Sequence, residues 1–292
     1  MFCSTIIPTV GRSTLERAVR SVLSQDTPDE ALEVIVVNDT GQPLPEAGWQ
    51  HEPGVTVLTT QRHERSVARN TGAAIARGRY LHFLDDDDVL LPGAMAAFMD
   101  LARTTRAPWL YGSYQAVDND GRLVQEFCPD EQGNVFPILV AGEAIPFQAS
   151  LLDRDAFFSA GMFDPLIVGV EDRDLGRRLA LTGGVEKTPA VVAQIRIGQI
   201  GSTTNWATIA EDDRWCREKA LRDQRAFARL SAGASTSFLC GRVSRSYLAS
   251  MAWNLRRANL LLAASRGLGA LAFAGRGALS PSFWKGIHTR IG

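Results

Sequence analysis

The chain has 292 residues, 45% of them hydrophobic and 22% charged, with a formal net charge of -1. That length and apolar content supply a core for one large domain with an appendage or for two modest domains, and they exclude an intrinsically disordered chain. The even balance hides a split: residues 1–213 carry 17 Lys and Arg against 30 Asp and Glu, whereas residues 214–292 carry 14 against 2.

From the N-terminus, Cys3 to Thr9 is apolar and β-branched and predicts a strand. Residues 13–25 follow with Leu15, Ala18, Val19, Val22 and Leu23 at the spacing of one buried helical face, and Ser13 or Thr14 is expected to cap it. Leu32 to Asp39 is a nearly continuous apolar run, the pattern of a strand buried on both faces of a parallel sheet. Val55 to Leu58 predicts a third strand, Ser66 to Ala76 a helix, and Tyr80 to Leu84 another buried strand that runs into Asp85, Asp86, Asp87 and Asp88. Repeated β-α-β units of this kind predict an α/β fold, with a mixed, mostly parallel sheet flanked by helices. Ligands of such sheets bind beyond the carboxyl ends of the strands, where Asp39 and the four aspartates fall.

Asp118 to Gly121 predicts a hairpin tip, and Glu171 with Asp172 stands at the start of a helix marked by Leu175, Leu179 and Leu181. Near residue 212 the composition turns arginine-rich and helical, which divides the chain into residues 1–212 and a basic helical extension over 213–292. Two readings of the extension stay open. Its apolar helices with basic edges could lie on an anionic membrane surface, or they could pack on the first domain with a solvated arginine face. Trp253, Phe273, Phe283 and Trp284 are interfacial anchors in one case and core in the other. The basic residues form no nucleic-acid recognition module, so no nucleic-acid partner is expected.

Cys3, Cys128, Cys216 and Cys240 make no zinc-ligand spacing and read as reduced thiols of a cytoplasmic protein. Pro8 and Gly11 come too early for a secretion signal, and the longest apolar stretch, 258–279, is broken by Arg266, Arg276 and several glycines, so no spanning helix is expected.

Four neighbouring carboxylates repel unless some protonate or a cation neutralises them. A divalent metal held by one or two of them with substrate phosphates is one solution, and a solvated acidic turn is the other. If the strand continues through the cluster, Asp85 and Asp87 share one face and Asp86 and Asp88 the other. Glu171 and Asp172 can likewise be catalytic or can stabilise the first turn of their helix.

In order along the first two hundred residues, the segments STIIPTVGRSTLERAVRSVLSQ, VIVVNDT, SVARNTGAAIARGRYLHFLDDDD, Ala149 to Leu152, Phe157 to Asp164 and the Glu171-Asp172 pair resemble glycosyltransferase family 2. The resemblance implies a GT-A nucleotide-sugar-binding fold and inverting, metal-dependent transfer from a nucleotide diphosphate sugar, UDP-type, to a glycan or lipid-linked glycan. It implies that Pro8, Thr9 and Val10 line the base pocket with Arg12 nearby, that Asp39 contacts the nucleoside and that Arg69 supports the nucleotide site. Asp85 to Asp87 would form the Asp-x-Asp element, with Asp85 and Asp86 on the nucleotide and Asp87, with Asp85, on Mn2+ or Mg2+. Asp172 would be the catalytic base, with Glu171 beside it. An enzyme of lipid-linked glycans would be cytoplasmic and peripheral on the inner face of the membrane.

The chain departs from the family pattern at Val10, where an aromatic residue is common, at Glu64, where glycine is common, and at Gly198, where many relatives carry a histidine. A non-catalytic sugar-nucleotide-binding or scaffolding relative is the alternative reading. Nucleotidyl transfer fits less well, because IPTVGRST lacks a Gly- and basic-rich phosphate loop.

Overall fold

In the computed structural model, which describes residues 1–28, 31–61, 64–197, 206–231, 236–275 and 277–288, nine strands form one sheet. They are β1 (Cys3–Thr9), β2 (Leu32–Asn38), β3 (Val55–Thr59), β4 (Tyr80–Phe83), β5 (Val89–Leu90), β6 (Trp109–Val117), β7 (Leu123–Phe127), β8 (Ser150–Asp153) and β9 (Val185–Arg196). The sheet order is β3-β2-β1-β4-β8-β6-β9-β5, with β7 on β6. Because β8 is antiparallel to both β4 and β6, and β9 is parallel to β6, six strands point the same way and only β5, β7 and β8 oppose them. The ends of β1, β2, β4 and β9 therefore open on one edge, and the start of β8 lies on that same edge.

Alternation along β1 and β2 splits the core into two layers. Ile6, Ile35 and Val37 face one side, where α2 (Arg65–Ile75) and α6 (Glu171–Thr182) supply Ala68, Ala73, Leu175 and Leu179. Ile7, Val34 and Val36 face the other, covered by α1 (Leu15–Leu23) and α3 (Ala94–Thr104) through Val19, Val22, Met95 and Phe98. The short helices α4 (Phe136–Val140) and α5 (Arg154–Ser159) complete the first layer. At the turn into β4, a Cβ on Gly78 would lie 2.5 Å from the Ser4 amide nitrogen, so only glycine lets the backbones meet there. The Gly78 amide donates to the Ser4 hydroxyl, which in turn donates to buried Glu33.

The chain continues as α7 (Trp206–Leu221), α8 (Ala226–Ser231), α9 (Thr236–Arg256), α10 (Leu260–Ala274) and α11 (Pro281–His288). Three sequence expectations need correction. The boundary near residue 212 falls inside α7, where buried Asp213 accepts from Arg177 of α6 at 2.7 Å and from Arg217 at 2.9 Å; the two regions share a hydrogen-bonded core there. Thr14 is the N-cap of α1, but its backbone is already helical and its hydroxyl makes no capping bond. The alternation expected through the aspartates stops at Leu84, because the chain leaves the strand after Phe83 and turns at Asp86 and Asp87. Gly198 lies outside the described residues.

The extension packs on the first domain through buried arginines rather than through a solvated arginine face. Arg217 donates to the Val140 carbonyl, Arg242 to Glu143, and Arg266 to Glu211. Phe283 is buried, Phe273 stacks on Tyr247, and Arg257 lies 4.0 Å over the partly buried Trp253 ring, while Trp284 stays half-exposed.

Candidate active site

The open edge of the sheet gathers the polar residues singled out by sequence into two adjoining clusters. In the first, the Thr9 hydroxyl at the end of β1 donates to Asp86 at 2.6 Å, and Arg12 donates to the other Asp86 oxygen at 2.5 Å. Arg12 also lies 3.6 Å from Asp87. Burial would lower the affinity of Arg12 for its proton, but the Asp86 and Asp87 carboxylates reverse this and hold it above the usual value. Pro8 is half-buried and Val10 exposed at the rim beside them. Asp39, one residue past β2, is buried and accepts from the Thr60 hydroxyl at 2.6 Å and from the Glu64 amide at 2.5 Å. Its amide donates to the Thr9 carbonyl, so Asp39 ties the β1, β2 and β3 loops together. Glu64 also caps α2, its carboxylate accepting from the Ser66 and Val67 amides.

The second cluster turns on Arg69, on the first turns of α2. Its planar fork donates to Asp85 at 2.6 Å and to Glu171 at 3.1 Å, and its guanidinium lies 5.2 Å from the centre of the Phe163 ring. Burial would push the Asp85 carboxyl up, but the field of Arg69 and its hydrogen bond hold it below the usual range. Gln148 donates to the other Asp85 oxygen at 2.9 Å. Asn70 fixes the neighbouring wall, donating to the Phe163 carbonyl and accepting from its amide.

Buried His82 holds Gln148 in place. Its Nε2 is 3.0 Å from the Gln148 carbonyl oxygen, which only accepts, so that nitrogen carries the proton and Nδ1 accepts from Thr5. Burial pushes the imidazole down to about 4, opposed by the Gln148 bond, so His82 is a neutral strut.

Arg65, Arg69, Phe83, Asp85, Phe147, Gln148, Gly169, Glu171 and Asp172 enclose a recess of about 130 Å³. That is below the ~300 Å³ of pockets that enclose a whole small molecule. Its two adjacent acids differ. Glu171 is buried against Arg69 and lies 3.5 Å from Arg65. Asp172 makes no ion pair within 4 Å among the described residues and accepts the Arg173 amide at 2.7 Å. Asp172 is exposed at the mouth of the recess; desolvation by the protein packed around it, with repulsion from Glu171, pushes its carboxyl above the usual range. An acid with a raised proton affinity and an open approach can take up a proton from a bound hydroxyl.

The structure brings Thr9, Arg12, Asp86 and Asp87 together, and Arg69, Asp85, Glu171 and Asp172 together. It does not put Asp85 and Asp87 on a common partner: Asp85 turns to Arg69 and Gln148, Asp87 toward Arg12. Among the described residues no group of three His, Cys, Asp or Glu side chains meets in metal-holding geometry. Sequence reading missed Gln148, Arg65, Thr60 and Asn70, which carry no periodic or spacing signal of their own.

The chain is similar to known proteins in sequence over its first part and in fold over most of its length. The model of "Glycosyl transferase family 2" matches residues 4–136. Over 131 residues the chain is 31% identical to the GalNAc(5)-diNAcBac-PP-undecaprenol beta-1,3-glucosyltransferase of Campylobacter jejuni, covering 42% of this chain and 41% of the relative. Over 155 residues it is 28% identical to the poly(ribitol-phosphate) beta-N-acetylglucosaminyltransferase TarP of Staphylococcus aureus, covering 51% and 47%. The chain thus spans less than half the length of each of these two relatives. Among solved structures, S. aureus TarS 1-349 in complex with UDP-GlcNAc shares the fold at a TM-score of 0.66 and 14% identity, over 92% of this chain and 89% of that one.

Proposed function

We propose that this chain, whose residues 4–136 match glycosyl transferase family 2, is an enzyme of that family that moves a sugar from a nucleotide diphosphate sugar to an acceptor hydroxyl with inversion. The observation that carries the reading is the difference between two neighbouring acids: Glu171 is locked by arginines, while Asp172 alone is open to a substrate in the recess.

The residues divide the work as follows. Pro8, Thr9, Val10 and Arg12 form the rim against which the nucleoside rests, with Asp39 beneath it and Asp86 beside Arg12 near the ribose. Arg69 and Gln148 fix Asp85 at the junction between nucleotide and sugar. The sugar enters the recess, and the acceptor hydroxyl approaches Asp172. As the acceptor oxygen attacks the anomeric carbon, its proton passes to Asp172, and the bond to the diphosphate breaks on the opposite side. One carboxylate suffices for such a single displacement.

A divalent cation fits this site. Asp87 is pushed up by burial and then by Asp85, with Asp86 adding to the repulsion, and among the described residues Arg12 is the one cation within 4 Å of its carboxylate, Arg17 reaching only its backbone carbonyl. A carboxylate with excess negative charge around it, and few protein partners, suits Mn2+ or Mg2+, which take most of their ligands from phosphate and water. Asp87 would hold the ion, with Asp85 nearby; when bound, it would stabilise the charge of the departing diphosphate.

A UDP-type donor is supported by the UDP-GlcNAc named for the solved TarS structure of the same fold. A glycan or lipid-linked glycan acceptor is supported by the undecaprenol-linked and ribitol-phosphate substrates named for the relatives. With a lipid-linked acceptor the enzyme would work in the cytoplasm, peripheral on the inner face of the membrane.

A thermal-shift series with UDP, GDP, dTDP and CMP, each with and without manganese, tests the binding half of this reading. A ligand at 100 times its Kd stabilises the folded state by ~2.7 kcal/mol. One diphosphate is expected to raise the melting temperature, and to raise it further with manganese; Asp87→Asn is expected to remove only the manganese increment. A flat response to all four would contradict the donor assignment.

A further inference from the structure

Helix α10 turns its leucines away from the protein it packs on. On its inward side Ala263 and Ala270 are buried, buried Arg266 donates to Glu211 of α7, and Phe273 stacks on Tyr247 of α9. A Cβ on Gly269 would lie 2.8 Å from the Tyr247 ring, so the glycine is what lets α10 settle on α9. Its outward side carries the large side chains, with Leu260 67%, Leu261 92%, Leu268 68% and Leu271 68% exposed. At 100° per residue these four leucines fall within an arc of about 100°, and Ala264 between them and Ala272 at the margin of that face are uncharged. Leu279, in the loop that follows, is fully exposed.

Leucines outward, with alanines and a glycine at much of the helix contact, is an arrangement found in helices surrounded by lipid, where close backbone approach replaces the hydrophobic drive. Water disfavours a contiguous ridge of this kind unless something covers it. Charge indicates what covers it. After Asp223 the sequence contains no Asp or Glu and ten Lys or Arg, and Arg256 and Arg257 stand exposed where α9 hands over to α10. With 15 residues at ~1.5 Å each, α10 is too short to cross a hydrocarbon core of ~30 Å, and no helix among the described residues is long and apolar enough to do so.

We propose that the outer face of α10, from Leu260 to Leu271 and on to Leu279, is a membrane-docking surface that sinks into the headgroup boundary of an anionic bilayer, with Arg256 and Arg257 on the lipid phosphates. This rests on the peripheral location proposed above and gives it a surface. It ties the glycan site to the bilayer through a rigid path, because Arg266, Glu211, Asp213 and Arg177 connect α10 to α7 and α7 to α6, the helix that carries Asp172.

Flotation of the purified full chain with vesicles tests this without donor or acceptor, so it is read independently of sugar transfer. Vesicles of phosphatidylglycerol and phosphatidylethanolamine are expected to carry the chain upward, phosphatidylcholine vesicles to carry far less, and added salt to weaken the association. The double variant Leu268→Gln, Leu271→Gln is expected to lose at least tenfold in vesicle affinity while keeping its melting temperature and its stabilisation by the diphosphate. Wild-type chain that stays down with anionic vesicles, or a double variant that floats equally well, overturns the proposal. So does a concentration-dependent dimer in sedimentation velocity that the double variant abolishes, because the ridge would then cover a second copy. A chain that floats but transfers no sugar keeps this surface and loses the catalytic reading instead.

Discussion

Asp172→Asn is expected to lower kcat by about 10²- to 10⁴-fold, the usual worth of a positioned general base, while leaving the stabilisation by nucleoside diphosphate intact. Asparagine keeps the shape of the side chain and its acceptor oxygen for the Arg173 amide, so the start of α6 should survive. The wild-type pH profile carries the same assignment. A base works only when deprotonated, and desolvation by the surrounding protein, reinforced by Glu171, holds the Asp172 carboxyl above its usual range. The rate should therefore rise with pH through an acidic limb that lies above the ~4 of an ordinary aspartate. In Asp172→Asn this limb should vanish from the residual rate. Single-turnover measurements across pH check both points; a variant turning over like wild type would remove Asp172 from the chemistry.

Arg69→Met is expected to damage folding and catalysis together. The guanidinium is the shared counter-charge of Asp85 and Glu171, and the methionine stem would leave those carboxylates facing one another inside the protein. Removing one partner of a buried pair costs about 3–5 kcal/mol, and the lower end applies because Asp85 is 28% exposed. Arg69 also lowers the proton affinity of Asp172, so its loss should move the acidic limb of the rate profile further upward. Arg69→Lys restores a charge without the two-pronged fork. It should bring the limb most of the way back while recovering only part of the stability, a split that a purely structural role would not produce. Urea unfolding and the pH profile of the three proteins together check this.

The parts of the fold that could be read from sequence are those whose patterns are local. Buried runs such as 34–37 admit no reading but a strand covered on both faces, and the Leu15, Val19, Val22 spacing admits only a helix. The second half of the sheet was harder. β9 contains Pro189, and its pairing with β6 shifts register near Ser113, so neither strand presents a clean alternation, and β5 is two residues long. The site divides the same way. The acids stand out because they cluster at strand ends, but what sets each one's behaviour comes from residues remote in sequence. Gln148 reaches Asp85 only because neutral His82 fixes its backbone, and Asp39 is buried because Thr60 and Glu64 close over it. Glu171 and Asp172 are adjacent acids with nothing in the sequence to separate them; the fork of Arg69, 102 positions from Glu171, engages one and leaves the other open. The outward leucine face of α10 was equally hidden, since alternating Leu, Ala and Gly does not say which side a neighbour will cover.

The most direct test of the central claim is the quantity of free nucleoside diphosphate released when the purified chain is incubated with manganese, each of a panel of UDP-, GDP- and dTDP-sugars, and lipid-linked or soluble glycan acceptors. One donor should yield nucleoside diphosphate in step with glycoside of inverted anomeric configuration, and Asp172→Asn should yield neither. Pyrophosphate in place of nucleoside diphosphate, retention at the anomeric carbon, or release undiminished in Asp172→Asn would contradict sugar transfer at this site by this residue.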